Sequence, residues 1–314
     1  QTHTFLIKKR DSKDNQIVTM TSANITSSPV QTVKTIKTDT GNVGYFLFND
    51  HIATSEKSIF DAITQLKSNN IVDLILDLRY NSGGYLAIAN QLTYMIAGPT
   101  FTAGKSFETM KFNDKHPATN PITNEPIQAI PFYTKTIGLS SMDSNTDLPF
   151  LNLNLGENGY PRVFILTGND TCSASESIIN SLLGINIEVI QIGSVTCGKP
   201  YGFYPMDNCG TTYFTIQFKG INSIGFGDYS DGFKPRMSSL EANMPLGCIV
   251  EEDIQQLLGN INENRLSAAL HYRNTGSCPN NSVSRSIMNI NSTNNKYKKI
   301  NKLKKNIFLS NKIL

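Results

Sequence analysis

Val43-Gly44-Tyr45-Phe46-Leu47-Phe48, then Ser55 to Ser68, then Ile71-Val72-Asp73-Leu74-Ile75-Leu76-Asp77-Leu78, is the stretch that decides the fold. The first segment is an apolar run of strand length, rich in aromatic residues. The second carries Ile59, Ile63 and Leu66 on one face at helical spacing and predicts an amphipathic helix. The third is almost continuously apolar, as in a strand covered on both faces. Strand, helix and strand in that order predict a parallel pair. A second such unit follows, with Tyr85 to Ile96 helical, Arg162 to Thr167 a strand, Ala174 to Leu183 a helix and Ile187 to Ile192 a strand. The predicted class is α/β.

On the amino-terminal side, Thr4 to Ile7, Gln16 to Thr21 and Val30 to Ile36 read as short strands divided by the polar turn Lys9 to Asn15, too few to close a domain. Between the two units, Ala97 to Tyr160 is rich in Pro, Asn, Thr and Asp and holds no period, which predicts a lid or cap. Tyr213 to Phe218 alternates as a strand, and Glu251 to Leu258 and Asn262 to Arg273 read as closing helices. The expected division is 1–36 as a partial β region, 37–279 as the main domain and 280–314 as a low-complexity tail, expected to be disordered.

The chain has 314 residues, 39% hydrophobic and 17% charged, an ordinary globular balance. Its net charge of +3 is carried by the tail, where residues 280–314 hold seven lysines and Arg285 with no acid, leaving 20 basic against 25 acidic residues elsewhere. That distribution argues against a nucleic-acid-binding face on the folded body. No apolar run approaches the roughly 20 residues that span a bilayer, so no stable membrane insertion is expected. Gln1-Thr2-His3-Thr4 has neither the basic start nor the apolar core of a signal peptide, so an export signal lies upstream or is absent.

Five cysteines leave two readings. Cys197 and Cys209 flank a Gly/Pro-rich loop, and Cys248 and Cys278 bracket the final helical segment, so two disulfides with Cys172 left over would suit an oxidising space; buried thiols are the alternative. There is no Cys-x-x-Cys or His-x-x-x-His set, and no metal or organic cofactor is implied.

The chemistry sits in Thr171-Cys172-Ser173-Ala174-Ser175-Glu176, at the turn from strand to helix, with Lys199 following Ser173 by 26 residues. A serine needs a neighbouring base to take its proton. His3, His51, His116 and His271 each lie outside a motif and read as structural or exposed. Lysine can serve if burial lowers its pKa, and Lys199 lies between Gly198 and Pro200 among Tyr201, Phe203 and Tyr204. Ser173 also suits a helix N-cap, with Glu176 complementing the dipole. The Ala174 N–H could face a developing oxyanion, and the loop Asn81-Ser82-Gly83-Gly84, after a strand and before a helix, offers a second donor. Its glycine spacing fits neither phosphate-binding pattern.

Taken together, Leu76 to Gly84, Cys172 to Glu176 and Gly198-Lys199-Pro200 resemble, in this order, the carboxyl-terminal processing (tail-specific) serine proteases, with a likeness running from Val43 to about Pro279. The resemblance implies a ClpP/crotonase-like α/β spiral with Ser173 as nucleophile, Lys199 as general base, and Ala174 with Gly83 or Gly84 as oxyanion donors. It also implies a PDZ domain before the catalytic core, of which residues 1–36 would be the last strands and linker. Two positions depart from the pattern. Phe203 stands where many members have a glutamine that orients the lysine, and Leu183-Gly184-Ile185-Asn186 stands where some carry an acid. The function implied is an extracytoplasmic serine endopeptidase acting on proteins or peptides through an acyl-enzyme. The alternatives are a non-catalytic module binding a peptide or apolar ligand on the same fold, or a Ser-Lys esterase or amidase.

Overall fold

The computed structural model describes residues 1–8, 13–156, 159–236 and 243–279; the basic tail and part of the Lys9 to Asn15 turn lie outside them. The elements in chain order are β1 (Thr2–Lys8), β2 (Asn15–Thr21), β3 (Val30–Ile36), β4 (Asn42–Phe48), α1 (Ser55–Ser68), β5 (Ile71–Asp77) and α2 (Leu86–Thr102). After these come β6 (Ser106–Lys111), β7 (Ala129–Pro131), β8 (Arg162–Thr167), α3 (Ala174–Gly184) and β9 (Glu188–Gly193). The last group is β10 (Tyr201–Gly202), β11 (Met206–Asn208), β12 (Thr211–Tyr213), β13 (Phe218–Ile221), β14 (Leu246–Ile249) and α4 (Asn264–Thr275).

The main sheet has six strands in the order β14-β9-β8-β5-β4-β3. β4, β5, β8, β9 and β14 run parallel, and β3 closes one edge antiparallel to β4. Its strands are apolar on both sides because each side is covered. Phe46, Phe48, Leu74, Leu76, Val163 and Ile165 join the cluster formed with α1, α2 and α3. The alternate residues Val43, Tyr45, Leu47, Ile75, Phe164 and Leu166 join a second cluster with Leu266, Ala268 and Ala269 of α4. The mixed α/β class is as expected from the sequence.

The stretch from Ala97 to Tyr160 contains more order than its composition suggests. α2 runs past the expected Ile96 and breaks at Gly98 (φ +73°) before Pro99. β6 and β7 then join β13 and β10 in a separate four-stranded antiparallel sheet, order β10-β13-β6-β7. Two expected elements are absent from their places. Tyr213 to Phe218 is not one strand: β12 ends at Tyr213 and β13 begins at Phe218, because the segment passes from one sheet to another, with Phe214 packing on Phe203 at 5.4 Å. Glu251 to Leu258 is not a helix. Ile254 and Leu257 are 82% and 83% exposed and only Leu258 packs against the core, so no continuous apolar face is buried to stabilise one.

The cysteine pairing also differs from the expected one. Cys172 bonds Cys197, Cys248 bonds Cys278, and Cys209 is the exposed thiol. Parallel β8 and β9 bring their carboxyl ends side by side, and the Cys197 N–H donates to the Thr171 carbonyl at 3.0 Å, which sets Cys197 against Cys172. Cys209 lies instead at the turn between β11 and β12.

Candidate active site

Three loops leave the carboxyl ends of parallel strands and meet: the loop after β4 with Asp50 and His51, the loop after β5 with Arg79 to Gly84, and the turn from β8 to α3 with Ser173. Open parallel sheets place their sites at this end. A buried ion cluster anchors the middle loop. Arg79, 1% exposed, pairs with Asp77 at 3.0 Å and with Glu263 at 2.8 Å, and Glu263 caps α4 through Leu266 N–H at 3.0 Å. Burial alone would push Glu263 up, but the Arg79 guanidinium holds its carboxyl below the ordinary range. The Tyr45 hydroxyl donates to Asp77 at 2.8 Å, so the remaining charge is hydrogen-bonded as well.

Backbone and side-chain bonds then lock the middle loop to the serine turn. The Asn81 carbonyl accepts from Cys172 N–H at 3.1 Å and from the Ser175 hydroxyl at 2.9 Å. The Thr171 hydroxyl donates to the Leu78 carbonyl at 2.8 Å. The result is close packing that only glycine permits. A Cβ on Gly83 would lie 2.8 Å from Ser173 Cβ and 2.9 Å from Ala174 N, and φ there is +95°.

Ser173 has φ +59° and ψ −118°, an unfavourable backbone for a residue with a side chain, costing about 1–3 kcal/mol. It is wholly buried, and its Oγ has no hydrogen-bond partner among the described residues. Ser173 and Glu176 stand as N-cap and N3 of a capping-box arrangement, although the hydroxyl itself makes no cap hydrogen bond. The reciprocal half of a capping arrangement is present, since Glu176 Oε2 accepts from Ser173 N–H at 2.9 Å. Strain, burial and an unspent hydroxyl together make Ser173 the candidate functional side chain of this turn.

Glu176 does more than complement the helix dipole. Its Oε2 also accepts from Lys199 N–H at 2.8 Å, and its Oε1 accepts from Gly198 N–H at 2.8 Å and from the Thr196 hydroxyl at 2.5 Å. One buried carboxylate thus joins the serine turn to the lysine segment. Burial pushes its carboxyl up, against these four hydrogen bonds that pull it down. The Cys172–Cys197 disulfide is a second tie between the same two segments.

The sequence-selected residues are accordingly gathered: Ser173, Ala174, Gly83, Gly84 and Lys199 all belong to this junction. Their contacts separate them further. The Gly83 N–H donates to Asn81 Oδ1 at 3.0 Å, which leaves Gly84 and Ala174 as the backbone donors without an assigned acceptor among the described residues. Lys199 is partly buried, with Nζ 5.3 Å from the centre of the Phe203 ring. Two residues of the junction escaped the sequence reading. Glu176 was legible only as a first-turn acid. His51, read as structural or exposed, is wholly buried at the loop's other side, with Nδ1 2.9 Å from Asn81 Oδ1. Its place directly after the first parallel strand is the sequence signal that could have marked it.

Residues 42–203 match peptidase family S41. Among solved structures, a protein from Bacteroides fragilis NCTC 9343 described as an S41 protease is similar at 24% identity, over 86% of this chain and 65% of its own, with a TM-score of 0.60. The photosystem II D1 C-terminal processing protease is similar at 16% identity, over 79% of this chain and 54% of its own, with a TM-score of 0.48. The chain spans less than two thirds of the length of either protein. No curated protein matches the sequence.

Proposed function

The chain belongs to peptidase family S41, and from that premise we propose that it is a serine peptidase that cleaves protein or peptide substrates through an acyl-enzyme on Ser173. The observation that carries this reading is the state of Ser173: strained backbone, full burial and a hydroxyl without a partner, backed by glycines at the start of a helix. In the proposed reaction the Ser173 oxygen attacks the scissile carbonyl. The N–H groups of Ala174 and Gly84 receive the oxyanion, while Gly83 serves by lacking a side chain. The dyad implied by the resemblance makes Lys199 the proton acceptor, and the shared oxygen of Glu176 is what supports its nearness to Ser173.

The same reading extends to the ClpP/crotonase-like arrangement of the strand-helix units and to a PDZ-like origin for the β1–β2 hairpin. A location outside the cytoplasm is supported by two disulfides. The test is direct. Ser173→Ala should keep its melting temperature within a few degrees while losing both hydrolysis of an unfolded protein such as casein and labelling by a fluorophosphonate. Labelling or hydrolysis that persists in the folded variant would remove Ser173 from the mechanism.

A further inference from the structure

We infer that the Cys172–Cys197 disulfide is a redox site at which a dithiol reductant switches off Ser173; this rests on Ser173 as the nucleophile and adds a control on the same turn. Its sulfurs sit on the segments that carry the chemistry, since Cys172 directly precedes Ser173 and Cys197 lies two residues before Lys199. Cys172 is 2% exposed, whereas Cys197 is only partly buried, so an incoming thiol meets Cys197 Sγ first. That sulfur also lies 3.4 Å from Glu176 Oε2, the same carboxylate oxygen that accepts from Ser173 N–H and Lys199 N–H. The second disulfide, Cys248–Cys278, is placed elsewhere: it joins β14 to the segment after α4, with Cys278 Sγ beside the Gly247 carbonyl at 3.4 Å.

In the oxidised protein neither sulfur carries a proton, so Cys197 Sγ donates nothing to Glu176. Once reduced, the Cys197 thiol becomes a donor beside Oε2. That oxygen has two lone pairs, already engaged by Ser173 N–H at 2.9 Å and Lys199 N–H at 2.8 Å, and a third donor loosens them. Ser173 is sensitive to this loosening, because φ +59° and ψ −118° persist only where the surroundings over-determine them. Its determinants are the Glu176 carboxylate, the bond from Cys172 N–H to the Asn81 carbonyl at 3.1 Å, and the disulfide. Reduction removes the last and weakens the first. The sheet beneath is held independently: β8 and β9 stay paired, Cys197 N–H donates to the Thr171 carbonyl at 3.0 Å, and the Thr167 hydroxyl donates to the Ser194 carbonyl at 2.7 Å. The effect is therefore local to the serine turn and the lysine segment.

The exchange runs in two steps. A thiolate of the dithiol attacks Cys197 Sγ, a mixed disulfide forms, and Cys172 leaves as a thiolate that takes up a proton. The second thiol of the reductant then attacks its own sulfur in the mixed disulfide, which releases Cys197 as the other thiol and the reductant as a cyclic disulfide. Two electrons and two protons pass from the dithiol to the protein, and reoxidation reverses both steps. In the reduced state the Ser173 backbone relaxes away from its strained conformation, the Ala174 N–H turns with it, and the hydroxyl no longer stands against the Gly83-Gly84 loop.

The rate of fluorophosphonate labelling, followed with near-ultraviolet circular dichroism, tests the assignment. Treatment of the oxidised protein with dithiothreitol should slow labelling at least tenfold while the dichroism of the folded state is kept, and reoxidation should restore the rate. The double variant Cys172→Ala, Cys197→Ala should label slowly with or without dithiothreitol, whereas Cys248→Ala, Cys278→Ala should respond as the parent does. Unchanged labelling once peptide mapping shows Cys172 and Cys197 reduced overturns the inference, as does a response that survives in the first double variant. A slowing that coincides with loss of the dichroism overturns it too, because the bond would then be a staple of the whole fold. If the first double variant does not fold, a second double variant that fails to respond decides against the inference instead. Amide hydrogen exchange reads the switch without chemistry at Ser173: the Ser173 and Lys199 amides should exchange at least tenfold faster on reduction, and unchanged protection sinks the proposal. An oxidised protein that takes no label yet shows this faster exchange rejects the nucleophile and supports the redox site, a separable failure.

Discussion

At the residue scale, the site depends on groups whose local sequence gives unequal notice of them. Ser173 and the Gly83-Gly84 pair could be picked out as candidates because small residues at strand-to-helix turns are local requirements, and Lys199 because of the Gly and Pro that flank it. Glu176 and His51 could not, because their roles come from contacts across the fold: Glu176 with the lysine segment, and His51 with Asn81. The four donors on Glu176 make it the most consequential of the unread positions. Glu176→Gln keeps the shape but turns one acceptor oxygen into a donor, which must then face a main-chain N–H or the Thr196 hydroxyl. The expected result is a loss of about 1–3 kcal/mol of stability, seen in denaturant unfolding, with labelling of Ser173 slowed at least tenfold. Unchanged unfolding and labelling would mean that the disulfide alone positions the two segments.

At the scale of elements, the parallel core was legible from apolar runs and helical spacing, since β4, α1, β5, β8, α3 and β9 follow those patterns closely. What the sequence could not convey was which loops the sheet brings together. Cysteine pairing shows this: proximity in sequence suggested Cys197 with Cys209, whereas adjacency of β8 and β9 joins Cys197 to Cys172. The failed helix at Glu251 to Leu258 has the same cause, because periodicity specifies a face but not a partner for it. Alkylation without reductant should therefore modify Cys209 alone, and peptide mapping should recover Cys172 linked to Cys197. Replacing both with alanine removes a crosslink of 25 residues' separation and should cost roughly 3–4 kcal/mol. A linked Cys197–Cys209 peptide would contradict this arrangement.

For the whole molecule, the second sheet carries an ionisable group whose burial makes stability depend on pH. Glu108 of β6 is 2% exposed, and its Oε1 has no hydrogen-bond partner among the described residues. Ser177 of α3 and the Tyr229 hydroxyl are its polar neighbours, and burial pushes its carboxyl up to about 8. An acid with a raised folded-state pKa holds its proton more tightly in the native chain. Its contribution is fully present below the unfolded value, near 4.5, and is lost as pH rises towards about 8. Glu176 and Asp77 are shifted the same way by burial, while Glu56 and Glu263 are shifted down, so the total profile mixes signs. Comparison with Glu108→Gln isolates the one term, because the amide fills the same space and cannot ionise. The melting temperature of this variant relative to the parent should climb by a few degrees between pH 5 and pH 8, with the variant the more stable at pH 8. A difference that stays constant over that range would mean that Glu108 reaches water when it ionises, and that the second sheet does not seal against α3.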